Sequence, residues 1–406
     1  MIAPISFVLT YVLPFAVVLG VIITIHELGH YFAGRIFGVA IDRFAIGFGR
    51  AIASRTDKRG VEWRIGWIPL GGYVRFSGDS NDASLPDGDE LEQLRQQIIE
   101  RHGPEAVQRY YHFKPVWQRA VIAAAGPIAN FLLAVVVFWA LVLVRGDEPH
   151  QLARVASVDA GTPAAAAGFR PGDLVVRANG HRIRFTDDLA QYNALRSGEK
   201  IDYLVDRGGQ RLVLTAAPSR QVEEDQTLKV KSEIGHIGLH MSDDPRDRVV
   251  VHYNPITAIG EAAFEVWDNV DVTLTYLRRV ATGYENGSQL SGIIGMGYVS
   301  GKVVASTPHA MSLGRQIAIL AYKLASLTGL VSVGIGFVNL LPIPLLDGGH
   351  LAFYAYEAVA RRPLSANIQA ASYRVGLALV LGLMLFATWN DLQRLRAFHF
   401  LGGLFS

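Results

Sequence analysis

Two unbroken apolar runs constrain this chain more than any other feature. Ser6 to Ile25 carries no charge over 20 residues, and Val121 to Val144 is a longer uncharged run. Ile317 to Leu346 is a third, interrupted by Lys323, and Val375 to Trp389 a shorter fourth. A bilayer core takes about 17–25 apolar helical residues, so the first two read as membrane spans outright. Four spans return the chain to the side where it began. Composition agrees, with 18% charged residues against about 25% in an average soluble domain, and a mean hydropathy of +0.24. The 406 residues allow two or three domains. A net charge of +2 gives no argument for a nucleic-acid partner. The absence of Cys excludes disulfides, thiolate zinc sites, iron–sulfur clusters and a Cys nucleophile, and leaves the compartment open.

The first run lacks a basic leader, and no small-residue cleavage site follows it, so it reads as a retained span rather than a signal peptide. Basic residues near the span ends set the orientation. Arg35, Arg43, Arg50, Arg101, Arg109, Lys114, Arg119, Arg361, Arg362 and Arg374 lie on one side, against Arg145, Arg154, Lys302, Arg315, Arg394 and Arg396 on the other. This excess places the loop after span one in the cytoplasm and both termini outside.

Between the spans the patterning changes. Phe44 to Phe76 alternates Gly with aromatic and β-branched residues, as in Ile46-Gly47-Phe48-Gly49, and reads as a β-hairpin. Ser77 to Asp89 reads as a flexible loop. From Asp147 to about Met241, short β-type runs at Leu174–Val176, Ile201–Val205 and Arg211–Leu214 alternate with turn signals such as Asn179-Gly180, which predicts a compact, mainly-β domain. Pro255 to Thr282 has helical periodicity, and Ser291 to Ser300 is a Gly-rich apolar stretch suited to a membrane or a protein groove.

The chemistry concentrates where span one ends, in His26-Glu27-Leu28-Gly29-His30. Positions i and i+4 share a helix face, so two imidazoles can meet one ion, and zinc suits them. Glu27, beside the ion without ligating it, can take a proton from water that zinc acidifies to a pKa of about 7. Ionisable groups joined to a membrane helix are costly and point to function. A catalytic zinc keeps three protein ligands. Past Asn339, span three is broken by Pro342 and Pro344 and reaches Asp347-Gly348-Gly349-His350. Asp347 is a candidate third ligand, though on residue type it equally suits a helix cap or a turn. His350 competes for the same role.

HExxH in the first span together with N-x-x-P-x-P-x-L-D-G in the third resembles the site-2 proteases, which are intramembrane zinc metalloproteases. The bacterial regulator of sigma-E protease branch is the nearest match. Ala125-Gly126-Pro127-Ile128-Ala129-Asn130-Phe131 and Ile68-Pro69-Leu70-Gly71-Gly72-Tyr73-Val74 carry the resemblance further along the chain. The resemblance implies zinc held by His26, His30 and Asp347, with Glu27 as general base and Asn339 binding substrate backbone. It also implies that Phe44 to Phe76 is a membrane-reentrant hairpin, whose Gly47, Gly49, Gly71 and Gly72 offer a backbone edge to an unwound substrate; on the residues alone, a plain surface hairpin fits as well.

Gly161 to Gly180 resembles a circularly permuted PDZ domain, with Ala164 to Ala167 as a short helix ended by Gly168. His236-Ile237-Gly238-Leu239 resembles its carboxylate-binding loop. Ile237, Gly238 and Leu239 would receive a peptide, or the domain would only exclude bulk. Two departures stand out: one PDZ domain where relatives carry two, and Ile293 where the family segment usually has Pro.

The expected architecture is a polytopic α-helical membrane protein of about four transmembrane helices, with a membrane-associated β-hairpin and one inserted, mainly-β PDZ domain. Residues 1–146 hold spans one and two, 147–242 the PDZ domain, 243–316 a periplasmic amphipathic helix and membrane-proximal segment, and 317–406 spans three and four. The resemblance implies regulated proteolysis, in the bacterial inner membrane, of single-span proteins already shortened outside, such as anti-sigma factors or signal-peptide remnants. The PDZ domain and termini would face the periplasm. A catalytically silent PDZ-bearing scaffold would be expected to lose some of the zinc set, yet all four residues remain. A transporter with broken helices would show paired interruptions in two halves, and no internal repeat is present.

Overall fold

The computed structural model describes residues 7–78, 88–224, 231–288, 290–307 and 311–394. Most of the expected flexible loop (79–87), the flanking Arg396 and both chain ends lie outside the described residues. Four described helices are long and apolar enough to cross a membrane: Val8–Ile36, Val116–Arg145, Leu313–Leu340 and Ala366–Gln393. The chain divides into two compact units. One comprises Met1–Leu141, Ala262–Val270 and Leu290–Ser406; the other comprises Val142–Glu261 and Asp271–Gln289.

In the first unit, a π-helical turn at Val8–Val12 leads into α1 (Leu13–Ile36). Pro14 sits where the π-helical turn passes into α1. β1 (Ile41–Thr56) and β2 (Glu62–Phe76) follow. They pair as the expected hairpin, and the hairpin is folded over on itself. Ile46 pairs with both Gly72 and Ile65, and Phe44 with both Val74 and Trp63, so each long strand folds back to make two rungs. The result is four segments in the order 51–56, 62–66, 43–46, 72–76, the two outer pairings antiparallel and the central one, Arg43–Ile46 beside Glu62–Ile65, running in the same direction. Glycine makes the reversals possible: Gly47, Gly49 and Gly71 have φ of +80°, +82° and +111°. The reversal end of the sheet exposes Phe48, Ile68 and Trp67, the last at 73%.

α2 (Gly88–His102) and two 3₁₀ turns precede α3 (Val116–Arg145), which contains Pro127. α1 and α3 cross at very close range. A Cβ at Gly29 would overlap the Ala125 carbonyl and stand 2.9 Å from Ala129 Cβ, so small residues let the two backbones touch.

The second unit carries β3 (Glu148–Gln151), β4 (Val155–Val158), α4 (Pro163–Ala167), β5 (Leu174–Ala178), β6 (His181–Arg182) and α5 (Thr186–Ala194). β7 (Ile201–Arg207), β8 (Gln210–Ala216), β9 (Ser219–Glu224), β10 (Lys231–His236), β11 (Leu239–Met241) and β12 (Arg248–Val251) complete it. A four-stranded sheet ordered β6-β5-β7-β8 is joined by the pairs β9–β10, β4–β11 and β3–β12. Thr162 caps α4 and Gly168 ends it at φ +84°, in the left-handed form that glycine tolerates. The core gathers Val155, Val175, Leu189, Ile201, Tyr203 and Val205, each under 3% exposed. Asp173 lies fully buried beneath the Arg207 guanidinium, which donates to it at 2.7 and 2.8 Å.

α6 (Pro255–Ala281) starts at an Asn254–Thr257 capping box. Its Ala262 and Val266 pack with Ala134, Phe138 and Leu141 of α3 and with Val333. The apolar stretch after Ser291 is a short helix, α7 (Ile293–Ala305). Asp391 holds its start, accepting from the amides of Gly292 (2.9 Å) and Gly295 (2.7 Å) and from Ser291 Oγ (2.9 Å).

Span three is α8 (Leu313–Leu340), shorter at its end than the apolar run because Pro342 and Pro344 cannot continue it. The chain then re-enters a helix that periodicity did not suggest, α9 (Asp347–Ala360). α10 (Ala366–Arg394) is nearly twice as long as the fourth run. Its polar ends are absorbed locally: Gln369 donates to the Leu364 carbonyl, Asn390 donates to the Leu290 carbonyl, and Asp391 caps α7.

Candidate metal centre

α1, α3 and α9 converge on one cluster. His26 and His30, one turn apart on α1, meet Asp347 at the first turn of α9. His26 Nε2 lies 3.2 Å from Asp347 Oδ2, His30 Nε2 lies 3.5 Å from Asp347 Oδ1, and the two Nε2 atoms are 3.2 Å apart. A tetrahedral zinc with ligands at about 2.0–2.1 Å has donor–donor edges of about 3.3–3.4 Å. Each imidazole faces a different Asp347 oxygen at close to that spacing, and one ligand atom from each residue lies within 4.8 Å of the other two, so the set fits the metal. Among the described residues this is the only group of three or more His, Asp or Glu so arranged.

Each ligand is held from behind. His30 Nδ1 donates to the Ile122 carbonyl of α3 at 2.8 Å, which leaves the Nε2 lone pair facing the cluster. His26 Nδ1 lies 3.2 Å from the side-chain amide of Asn130. Gly126, on the same face of α3, has no room for a side chain. A Cβ there would overlap His30 Nε2 and stand 2.8 Å from His26 Cε1.

Asp347 is set by the turn before it. Leu345 adopts φ +95°, a conformation that costs a branched residue about 1–3 kcal/mol and persists only where its surroundings impose it. The two glycines after Asp347 allow that turn to close. A Cβ at Gly349 would meet the Ile343 carbonyl at 2.5 Å, and one at Gly348 would overlap the end of α8. Farther along α9, Tyr354 Oη bonds Tyr111 Oη (2.9 Å) and Glu357 accepts from Arg119 (2.6 Å), fastening the helix to the start of α3.

Glu27 is 9% exposed. The backbone of β2 passes beside it: the Val74 amide faces its carboxylate, and a Cβ at Gly72 would stand 2.9 Å from its Cγ. The edge segment 72–76 thus runs along the carboxylate that neighbours the metal cluster.

The family model for peptidase family M50 matches residues 14–383. The chain belongs to peptidase family M50, the site-2 proteases. This M50 protein is 50% identical to metalloprotease MmpA of Caulobacter vibrioides, over 96% of this chain and 97% of the relative. It is 37% identical to a protein carrying the zinc metalloprotease name in Agrobacterium fabrum, over 96% and 97%. It is 38% identical to a similarly named protein in Mesorhizobium japonicum, over 93% and 97%. A solved PDZ domain of an SdrC-like protein from Listeria monocytogenes aligns with 22% of this chain and 87% of that one, at 20% identity and a TM-score of 0.18. The chain is a multi-pass membrane metalloprotease, and its metal is zinc.

The other residues singled out in this M50 sequence are placed as follows. Asn339 lies half-buried on the last turn of α8, and its side chain makes no hydrogen bond among the described residues. Gly47, Gly49 and Gly71 form the reversals of the sheet, and Gly72 alone of the four abuts Glu27. His350, the competing ligand, is not in the metal cluster; its ring lies near those of Tyr354 and Tyr373. In the second unit, the Ile237 carbonyl accepts from Ala164 and Leu239 pairs with Val158. The Gly238 amide, expected to await a peptide, already donates to His236 Nδ1 at 3.1 Å. Ile122, Gly126, Asn130 and Val74 had no expected role. One signal pointed to two of them: Gly126 and Asn130 are four apart on α3, the spacing of His26 and His30 on α1.

Proposed function

We propose that this M50 metalloprotease cleaves transmembrane segments of single-span membrane proteins already trimmed on their outer side, by regulated intramembrane proteolysis. Anti-sigma factors and signal-peptide remnants are the substrate types this reading takes from the family resemblance. The observation that carries it is the cluster of His26 and His30, inside the apolar helix Val8–Ile36, with Asp347 just beyond the end of the apolar helix Leu313–Leu340, and with Glu27 and a sheet edge beside them. His26, His30 and Asp347 would hold the zinc, which supplies a Lewis acid that polarises the scissile carbonyl and acidifies water. Glu27 takes the proton from the attacking water and returns it to the leaving amine. A transmembrane helix hides its amides in internal hydrogen bonds, so the substrate must unwind. The sheet segments around Gly47, Gly49, Gly71 and Gly72 take up the freed backbone by strand addition, and Asn339 binds substrate near the scissile bond.

The same reading sets the protein in the bacterial inner membrane with its termini and the PDZ domain in the periplasm. It treats residues 147–242 as a domain that sorts substrates, by binding a peptide through Ile237 to Leu239 or by excluding bulk. The experiment is cleavage of a model single-span substrate with and without a folded outer domain, by wild type, by Glu27→Gln and by a PDZ deletion. Wild type should cut only the trimmed substrate, Glu27→Gln neither, and the deletion both. Full cleavage by Glu27→Gln would remove the base assignment, and an unchanged substrate set after deletion would remove the sorting role.

A further inference from the structure

We propose that Asn130 is the positioning residue that sets the tautomer of His26 for metal binding, a proposal that rests on the reading of His26 as a zinc ligand. A neutral imidazole that ligates through Nε2 must carry its proton on Nδ1, and that N–H needs an acceptor. His30 has a backbone carbonyl for this purpose. The group that meets His26 Nδ1 is the Asn130 amide, at 3.2 Å.

An amide offers either its oxygen or its nitrogen, related by a half-turn of the side-chain end. With nitrogen toward the ring, Nδ1 must accept and the proton moves to Nε2, which lies 3.2 Å from Asp347 and from His30 Nε2. A protonated Nε2 cannot ligate. With oxygen toward the ring, Nδ1–H donates and the Nε2 lone pair faces the cluster. Asn130 is fully buried, and its Oδ1 has no protein partner while the nitrogen faces His26. Either orientation leaves one amide atom without a protein partner, so the imidazole and its metal select between them.

The fold holds this residue tightly. The Asn130 carbonyl accepts from Ser332 Oγ of α8 at 2.8 Å, and Gly336 leaves room for the Asn130 side chain, since a Cβ there would lie 3.2 Å from Asn130 Cβ. α8 thus backs Asn130 while α1 presents His26 to it. Gly126 faces His30 and Asn130 faces His26 as α3 runs past α1 in the opposite direction, which makes the pairing a property of the helix crossing.

The test is zinc affinity of the purified full-length protein, measured by competition with a chromophoric chelator. Asn130→Leu keeps the volume and removes the acceptor, and should bind zinc about 10–100-fold more weakly. Asn130→Asp keeps an oxygen on the imidazole and should stay within about threefold of wild type. Ser332→Ala loosens the same junction without touching His26 and should retain wild-type affinity. His26→Ala is the reference and should lose zinc. Wild-type affinity in Asn130→Leu, alongside loss in His26→Ala, would overturn the positioning role and leave the ligand reading standing. Equal losses in Asn130→Asp or Ser332→Ala would also overturn it, since packing rather than an acceptor would then be at stake. Zinc retained by His26→Ala would instead refute the ligand assignment.

Discussion

The substitution Gly126→Ala isolates the site from the fold. In an ordinary helix this change is favourable, by about 0.8–1 kcal/mol of helix propensity. Here the added Cβ overlaps His30 Nε2 and lies 2.6 Å from His30 Cε1 and 2.8 Å from His26 Cε1, where carbon contacts normally begin near 3.5 Å. Relief requires the rings to retreat by roughly 1 Å. His30 cannot retreat freely, because its Nδ1 is tied to the Ile122 carbonyl. The α3 backbone cannot retreat freely either, because α8 lies close behind it, with Gly336 so near that a Cβ there would stand 3.2 Å from the Pro127 carbonyl and from Asn130 Cβ. Metal–ligand distances tolerate about 0.2 Å, and a misplacement of about 1 Å at a reacting centre costs on the order of 100-fold in rate. The expected result is a protein that expresses and melts like wild type, binds zinc at least about 100-fold more weakly, equivalent to about 2.7 kcal/mol, and cleaves correspondingly slowly. Zinc content, melting temperature and cleavage rate are measured on one preparation. Wild-type zinc affinity in Gly126→Ala would refute the claim that α3 templates the two imidazoles.

Two further outcomes probe other parts of the structure. Gly72→Ala places a Cβ 2.9 Å from Glu27 Cγ and from the Ala45 carbonyl, so it should slow cleavage at least about tenfold while zinc content stays at the wild-type level; loss of zinc instead would mean that the sheet supports the ligands rather than the base. In the second unit, burial alone would push the Asp173 carboxyl up, but the Arg207 guanidinium and the Arg170 amide outweigh burial and hold it below the usual carboxylate range. Its contribution to stability is therefore complete above the unfolded carboxyl value of about 3.9 and is lost as pH falls through the lower folded value. Thermal unfolding of that unit should weaken toward pH 3 in wild type and more shallowly in Arg207→Ala, and identical slopes would contradict the pairing.

Much of the architecture was legible because the bilayer imposes length. Ser6 to Ile25 and Val121 to Val144 could hardly be anything but spans, and Val8 to Ile25 of the first and all of the second lie within observed helices. His26 and His30 were legible because i, i+4 spacing fixes a shared face, and Pro342 because proline cannot continue α8. The remainder depended on contacts between distant segments. Asp347 read equally as a ligand, a helix cap or a turn residue, because Gly348 and Gly349 look like breakers, whereas they are the residues small enough to lie against Leu340 and Leu341 and against Ile343 and Pro344. The sheet at 41–76 read as a simple hairpin because alternation gives strand direction but not where a strand doubles back, which the positive φ values of Gly47 and Gly71 decide. Asn130 and Gly126 were visible as a motif, but their meaning required knowing that α3 crosses α1 at His26 and His30. The long ends of α10 were hidden by Gln369 and Asp391, whose polarity is spent on local hydrogen bonds rather than on water.

The central claim is that His26, His30 and Asp347 hold the zinc while Glu27 works beside it without holding it. Zinc per chain, measured by elemental analysis on purified wild type, Glu27→Gln and Asp347→Ala, tests this most directly. The expected values are about one in wild type, about one in Glu27→Gln, and far below one in Asp347→Ala. A full complement of zinc in Asp347→Ala, or its loss in Glu27→Gln, would contradict the account.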